Sequence, residues 1–310
     1  MIRTRGLTKD FVVSESQTVH AVRGIDLDVA PGELVAVLGP NGAGKTTTMR
    51  MLAGLVRPTA GRVLLDDTDL ATATPDVRRP LAYLPEQVAP YEEMTVVAYL
   101  RYLVRLWGTR GAACREAVDR AMDEVGVDDV AGRVIGTLSR GYRQRVGIAG
   151  AIAHDPQVLL LDEPTSSLDP RQVVEVRTLV RRLARTRLVV LSTHLLPEAA
   201  QICDRVLVLH QGRQVALAPP SELDPAAGAR PVTIVARAPG DELATRLGAV
   251  PGVTSVRLHP GEGDEHRATV TTTGDCRAAL AAAVVAGGWD LVELVQAPAD
   301  LEDAFLALTR

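Results

Sequence analysis

The chain has 310 residues, 46% of them hydrophobic and 23% charged, a globular balance at a length that suits two domains. Its net charge of −4 excludes a general electrostatic attraction for nucleic acid. Cys114, Cys203 and Cys276 are odd in number and lack metal-ligand spacing. They exclude a disulfide framework and fit a reducing compartment.

Met1 to Arg5 leads directly into Gly6-Leu7-Thr8 with no apolar signal region, so secretion is not expected. Residues 1 to about 220 alternate strand-like apolar runs with helical stretches. Glu33 to Leu38 is a run of strand length ended by Gly39, and Val158 to Leu161 is another ended by Asp162. Arg187 to Leu191 and Arg205 to Leu209 follow the same pattern. Strands apolar on both faces and separated by helices predict a mainly parallel sheet covered by helices, an α/β fold. Met94 to Leu138 has no strand-like run and reads as a helical subdomain inserted between two core strands.

Residues 221–230 are rich in Pro, Ala and Gly and read as a linker. Beyond it, strands are expected at 231–236, 253–258, 267–272 and 289–295, with helices at 241–247, 276–286 and 301–308. This βαββαβ order predicts a small α+β domain of ferredoxin-like type over 231–310. Val232, Ile234, Val253, Val256, Val270, Leu280, Val284, Leu291 and Leu294 supply its core. From 231 onwards there are 6 Arg against 11 Asp or Glu, so neither part carries the basic excess of a nucleic-acid binder. The longest small-apolar stretch, Ala278 to Trp289, falls short of the ~20 residues needed to span a bilayer. His259 and His266 flank an acidic Pro/Gly-rich stretch that reads as a hairpin loop rather than a metal site.

Chemistry concentrates in the first part. Gly39-Pro40-Asn41-Gly42-Ala43-Gly44-Lys45-Thr46 matches the phosphate-binding loop G-x-x-x-x-G-K-[ST], after an apolar strand and before a helix beginning near Thr46 and Thr47. Its glycines let backbone N–H groups close on phosphate oxygens, and the helix N-terminus adds positive charge. Lys45 is expected at the β- and γ-phosphates and Thr46 on Mg²⁺. Only Lys9 and Lys45 among 34 basic residues are lysine. A compact ammonium fits between phosphate oxygens where the broad arginine fork does not. Leu159-Leu160-Leu161-Asp162-Glu163 brings an acidic pair to the C-terminal edge of a buried strand, where open α/β sheets bind ligands. Asp162 is expected to hold Mg²⁺ and Glu163 to act as general base toward water.

Between these motifs, Leu138-Ser139-Arg140-Gly141-Tyr142-Arg143-Gln144-Arg145 resembles the LSGGQ signature of ABC proteins, departing from it at Arg140 and Tyr142. On these residues the chain resembles the ATP-binding subunits of ABC transporters over about residues 2 to 220. The resemblance implies a P-loop NTPase fold of ABC type, with ATP and Mg²⁺ as ligands. It assigns Gln87 of Leu84-Pro85-Glu86-Gln87 to the Q-loop, near metal and water. Ser167-Leu168-Asp169 becomes the D-loop, His194 of Ser192-Thr193-His194 the switch histidine at the γ-phosphate, and Phe11 the aromatic against adenine. It further implies a head-to-tail dimer with itself or a homologous subunit, in which Ser139, Arg140 and Gly141 of one copy complete the ATP site of the other. The partner is a polytopic membrane permease, reached through the loop from Val88 to Met94, and the location is peripheral on the cytoplasmic side of the membrane. Ser139 is equally suited to cap a helix, and the two uses are compatible. The signature variant and the closing Leu301-Glu302-Asp303-Ala304-Phe305-Leu306 resemble ATPase subunits of ABC-2-type exporters. The alternative is a soluble ABC-type ATPase acting on ribosomes or DNA, which usually has paired ATPase units or long coiled coils; neither occurs here. The sequence names no cargo.

Overall fold

The structure is a computed structural model that describes residues 1–14, 17–87, 90–223, 231–259 and 265–296. The closing helix expected at 301–308, most of the linker, the centre of the acidic loop and Val88-Ala89 of the permease loop lie outside the described residues. The chain divides into two compact units, Met1–Pro220 and Ser221–Arg310.

The first unit opens with two long strands, β1 (Ile2–Ser14) and β2 (Gln17–Val29), then β3 (Leu34–Leu38) and α1 (Lys45–Leu52). Next come β4 (Ala60–Leu65), β5 (Thr68–Asp69) and β6 (Leu81–Leu84). Three helices follow, α2 (Val96–Leu106), α3 (Gly111–Val125) and α4 (Arg140–Ile152). The unit closes with β7 (Val158–Leu161), α5 (Pro170–Leu183), β8 (Leu188–Thr193), α6 (Leu196–Ile202), β9 (Arg205–His210) and β10 (Arg213–Ala218).

Six of these strands form one sheet in the order β10-β9-β3-β8-β7-β6, parallel throughout except for the edge strand β10. Its central strands are buried on both faces, which is why they read as unbroken apolar runs. Side chains of one face, among them Val35, Val37, Leu160, Val190 and Leu207, join Met49, Met51 and Leu52 of α1 in a single core. That core also takes Ile2, Leu7, Ile25, Leu27, Val63 and Leu65 from a second, antiparallel sheet of order β2-β1-β4-β5. This second sheet was not expected from the sequence. Its two long strands pair through several register shifts, and such bulges break the period-two alternation that marks a strand.

Between β6 and β7 the helices α2, α3 and α4 pack on one another; α2 and α3 fall within the stretch from Met94 to Leu138, and α4 lies beyond it. Each terminus has a chemical cause. Thr95 caps α2 by accepting the Ala98 N–H at 3.3 Å, and Ser139 caps α4 by accepting the Tyr142 N–H at 3.4 Å. Gly126 ends α3 in the left-handed conformation, at φ 67°. Buried Arg187, just before β8, holds Glu124 at the end of α3 through two nitrogens, at 2.5 and 3.2 Å. It also reaches Asp155 at 3.1 Å. This fork-to-carboxylate pair ties the helical subdomain to the sheet.

The second unit contains β11 (Val232–Arg237), α7 (Gly240–Gly248), β12 (Val253–His259), β13 (Glu265–Thr272), α8 (Arg277–Ala286) and β14 (Asp290–Gln296). The sheet is antiparallel in the order β12-β13-β11-β14, the arrangement expected of a ferredoxin-like βαββαβ unit. Val232, Ile234, Val270, Leu243, Leu247, Leu280 and Val284 form its own core. No helix among the described residues is long and apolar enough to cross a membrane.

Candidate functional site

The C-terminal ends of β3, β7 and β8 converge, and the loops that follow them carry the polar residues. After β3 the chain turns tightly through 39–44 into α1. A side chain at Gly39 would place Cβ 2.5 Å from the Leu209 carbonyl oxygen. Gly44, at φ 101°, would place it 2.4 Å from the Ala21 oxygen. Neither position accepts any other residue, because the loop is pressed between β9 and β2. The Lys45 ammonium folds back over this loop, donating to the Gly39 carbonyl at 2.9 Å and the Pro40 carbonyl at 3.4 Å.

From β7 come Asp162 and Glu163, 1% and 7% exposed. Burying two adjacent carboxylates is costly unless each is paired, and both are. Asp162 Oδ1 accepts the Ser192 hydroxyl at 2.5 Å and the Thr46 hydroxyl at 3.3 Å; Oδ2 accepts the Tyr83 hydroxyl at 3.1 Å. Burial, and then the Asp162 charge, push the Tyr83 phenol up to about 12, so it remains a donor across the neutral range. Glu163 Oε1 lies 3.1 Å from Lys45 Nζ, and Oε2 lies 2.9 Å from His194 Nδ1. The backbone of Glu163 is left-handed, at φ 47°, which aims its side chain at these two partners.

Lys45, Glu163 and His194 line a cavity of about 490 Å³, whereas Asp162, Ser192 and Tyr83 do not. Its walls include Asn41, Gly42, Lys45, Thr46, Thr47, Glu163 and His194, and Phe11, Val19 and His20 of the β1–β2 pair lie along it. Phe11 is 41% exposed and carries the Lys9 ammonium 5.0 Å from its ring centroid. An exposed aromatic beside a phosphate-loop cavity provides a stacking surface for a base. Thr46 and Asp162 present hard oxygen donors side by side, the donor chemistry that suits Mg²⁺.

Of the other expected residues, Gly39 and Ala43 belong to the loop but do not line the cavity. Gln87 is exposed and also lies outside the lining, whereas its neighbour Glu86 contributes to it. Ser139, Arg140 and Gly141 sit at the start of α4, away from this cavity. Of the two departures from the signature, Tyr142 has local partners. The Tyr142 hydroxyl donates to Asp129 at 2.9 Å, and its ring lies under the Arg145 guanidinium, which pairs with Glu175. A side chain at Gly141 would meet Gln172 of α5 at 2.7 Å.

Three residues of the site had no assigned role in the sequence reading. Tyr83 lies in an apolar strand 79 residues from Asp162. Ser192 was visible only as the neighbour of His194. Buried Glu198 accepts the Thr165 hydroxyl at 2.7 Å and the Thr193 hydroxyl at 3.3 Å, joining the loop after Glu163 to the end of β8.

Comparison with known proteins agrees with this geometry. Residues 22–166 match the family described as ABC transporter. The chain is 42% identical over 194 residues to YxlF of Bacillus subtilis, an ABC transporter ATP-binding protein, covering 62% of this chain and 64% of YxlF. It is 35% identical to OsmV of Salmonella typhimurium, an osmoprotectant import ATP-binding protein, over 72% of this chain and 60% of OsmV. The match thus spans less than two thirds of either relative's length. DrrA of Streptomyces peucetius, a daunorubicin/doxorubicin resistance ATP-binding protein, is 37% identical over 73% of this chain and 68% of its own. Among solved structures, the ATP-binding cassette MJ0796, a dimer bound to ADP and Pi in a post-hydrolysis state, superposes with a TM-score of 0.64. That match is 25% identical and covers 71% of this chain and 98% of the cassette. The chain belongs to the ABC transporter ATP-binding family and carries that family's ATPase domain.

Proposed function

We propose that this chain binds ATP with Mg²⁺, hydrolyses it, and thereby powers a separate membrane permease, most closely in the manner of ABC-2-type exporters. The observation that carries the reading is the convergence of Lys45, Thr46, Glu163 and His194 on one cavity beside Phe11, with Asp162 hydrogen-bonded to Thr46.

In this reading the adenine stacks on Phe11, and the loop amides of 39–44 cradle the phosphates. Lys45 exchanges its loop carbonyls for phosphate oxygens, and its separation from Glu163 leaves that carboxylate available to the attacking water. Glu163 takes up the water's proton as the water adds in line to the γ-phosphorus and the bond to the bridging oxygen breaks, with ADP leaving on the opposite side. His194, hydrogen-bonded to Glu163, keeps that carboxylate oriented and faces the same phosphate. Thr46 and Asp162 would hold Mg²⁺, which supplies neutralisation of the phosphate charge when bound.

Ser139, Arg140 and Gly141 do not line the cavity of their own chain, so a second, head-to-tail copy is the source of those groups over the γ-phosphate. The dimeric state of the MJ0796 cassette supports pairing of two copies. ATP then holds two copies together, hydrolysis releases them, and the motion is passed to the permease through the loop after Gln87. That places the chain peripherally on the cytoplasmic side of the membrane. The exporter assignment draws on the signature variant, the closing 301–306 segment and the likeness to a drug-resistance protein; the likeness to an import protein is of similar strength.

The test is twofold. Purified chain should release phosphate from ATP only with Mg²⁺. Solubilised membranes should return a polytopic membrane protein, not ribosomes, with the tagged chain. Recovery of ribosomes would favour the soluble-ATPase alternative.

A further inference from the structure

Ser192 is fully buried in β8, the strand between β3 and β7 in the main sheet. It pairs in register with Val37 and follows Leu191, which pairs with Leu161, so it stands level with Asp162. Successive side chains of a strand alternate faces, so Ser192 shares the face of Leu188 and Val190, two members of the apolar core against α1. A hydroxyl in that company must find partners, and it finds two that belong to different functions. It donates to Asp162 Oδ1 at 2.5 Å, within the range of a charge-assisted O–H to carboxylate bond. It accepts the Glu163 backbone N–H at 2.9 Å.

Each bond has a consequence. With Ser192 and Thr46 on Oδ1 and Tyr83 on Oδ2, the Asp162 carboxylate is held at both oxygens, so its plane is fixed. The bond to the Glu163 N–H lies at a residue held in left-handed backbone, a conformation that is strained for an L-residue and persists only where neighbours enforce it. The direction of the Glu163 side chain toward Lys45 and His194 follows from that backbone.

We infer that Ser192 is a positioning residue that sets the metal-holding carboxylate and the general base from one hydroxyl. The inference rests on the ATPase reading above. Without the hydroxyl, Asp162 loses one anchor and the buried Glu163 N–H loses its acceptor, while the phosphate loop and Phe11 are untouched. Metal-dependent steps and turnover should fall together, and binding of nucleotide without metal should not.

The experiment compares the full chain with Ser192→Ala, Ser192→Val and Ser192→Thr. Affinity for a fluorescent ATP analogue is measured in EDTA and across a Mg²⁺ titration, alongside kcat and thermal melting. Loss of an outer partner of a metal ligand typically costs about 10- to 100-fold in metal affinity or activity. Ala and Val should therefore need at least tenfold more Mg²⁺ to reach half-maximal gain in affinity and should lose at least tenfold in kcat. Affinity in EDTA should be unchanged, and Thr, which restores the hydroxyl, should recover both losses. If Ala and Val do not fold, Ser192→Cys, of similar size but with only a weak S–H donor, carries the same comparison. Unchanged Mg²⁺ dependence and kcat in folded Ala or Cys variants, or equal loss in Thr and Val, would overturn the inference. A wild-type chain with no Mg²⁺-dependent nucleotide binding would instead overturn the ATPase reading itself.

Discussion

Both units lay helices against a sheet and bury an apolar core, yet they differ in what else they bury. Among the described residues of the first unit, Thr4, Lys45, Thr48, Asp162, Glu163, Arg187, Ser192, Thr193 and Glu198 are buried polar or charged groups; in the second, only Thr272 is. Thr272 satisfies itself locally, donating to the Gly274 carbonyl at 2.7 Å. Lys45, Asp162, Glu163, Ser192, Thr193 and Glu198 are instead wired to one another or to the loops beside them. Burying charge in this way costs stability that an apolar residue would not cost. The first unit therefore carries a polar cluster that folding alone does not require, while the second has the composition of a unit selected for its own packing. The contrast sets a buried polar cluster in the first unit against a single buried polar residue among the described residues of the second, and it can be broken at either end.

The largest effect should come from Glu163→Gln. The amide keeps the shape and loses the base, so hydrolysis should fall by about 10²–10⁴-fold, the usual worth of a positioned proton acceptor. ATP binding should survive, and the protein should elute as a trapped dimer in size-exclusion chromatography with ATP. Undiminished phosphate release would remove Glu163 from the role of base and dissolve the contrast between the units.

Lys45 sharpens the contrast by a smaller step. A hydrogen bond to a charged group contributes about 1.5–3 kcal/mol, so Lys45→Ala should weaken nucleotide binding by about 10- to 100-fold. Lys45→Arg should also hydrolyse poorly. The ammonium sits 2.9 Å from the Gly39 oxygen, 3.4 Å from the Pro40 oxygen and 3.1 Å from Glu163 Oε1, acceptors grouped around a compact point charge rather than along a planar fork. Normal turnover by the Arg variant would refute the argument from the scarcity of lysine. Nucleotide affinity and hydrolysis rate, measured on the same samples, separate the two steps.

What could be read in the sequence follows from how local each signal is. The phosphate loop and the acidic pair each directly follow a short apolar strand, and β7 runs from Val158 to Leu161 as its apolar run indicates. The βαββαβ order of the second unit was readable because its six elements are short, regular and separated by Gly- or Pro-bearing turns. The antiparallel sheet of the first unit was not, because bulges scramble the alternation of β1 and β2. Nor were the roles of Tyr83, Ser192 and Glu198 visible. Their partners lie across strands or loops, and an apolar strand containing a tyrosine or serine looks the same whether or not a carboxylate waits beside it. Ser139 was readable as a cap, and the structure uses it as one.

The second unit can be perturbed alone. Leu280 is fully buried in its core with Ile234 and Val284. Leu280→Ala removes buried methyl groups and leaves a cavity, at a cost of about 2–5 kcal/mol. Differential scanning calorimetry should show one transition lowered, and ATP with Mg²⁺ should raise the other. Phosphate release at temperatures below both transitions should match the parent chain. A parallel loss of hydrolysis at those temperatures would mean that the second core supports the ATP site.

The smallest expected effect is the most demanding test of the comparison. A chain ending at Asp224 retains the whole unit from Met1 to Pro220, with every residue that lines the ATP cavity, and discards the α+β unit. The parallel sheet, the antiparallel sheet and α1 share one core, whose members among the described residues run from Ile2 to Leu217. The shortened chain should therefore fold, as far-ultraviolet circular dichroism and a cooperative melt would report. Its phosphate release per folded molecule should equal that of the full chain. Stimulation of hydrolysis by a reconstituted permease is the quantity expected to fall, because a unit with a packed core and no buried polar cluster among its described residues is suited to docking or regulation. Equal stimulation in both chains would deny the second unit a part in coupling. Loss of basal hydrolysis in a truncated chain that is demonstrably folded would place part of the catalytic machinery beyond residue 224 and end the division of labour between the two units.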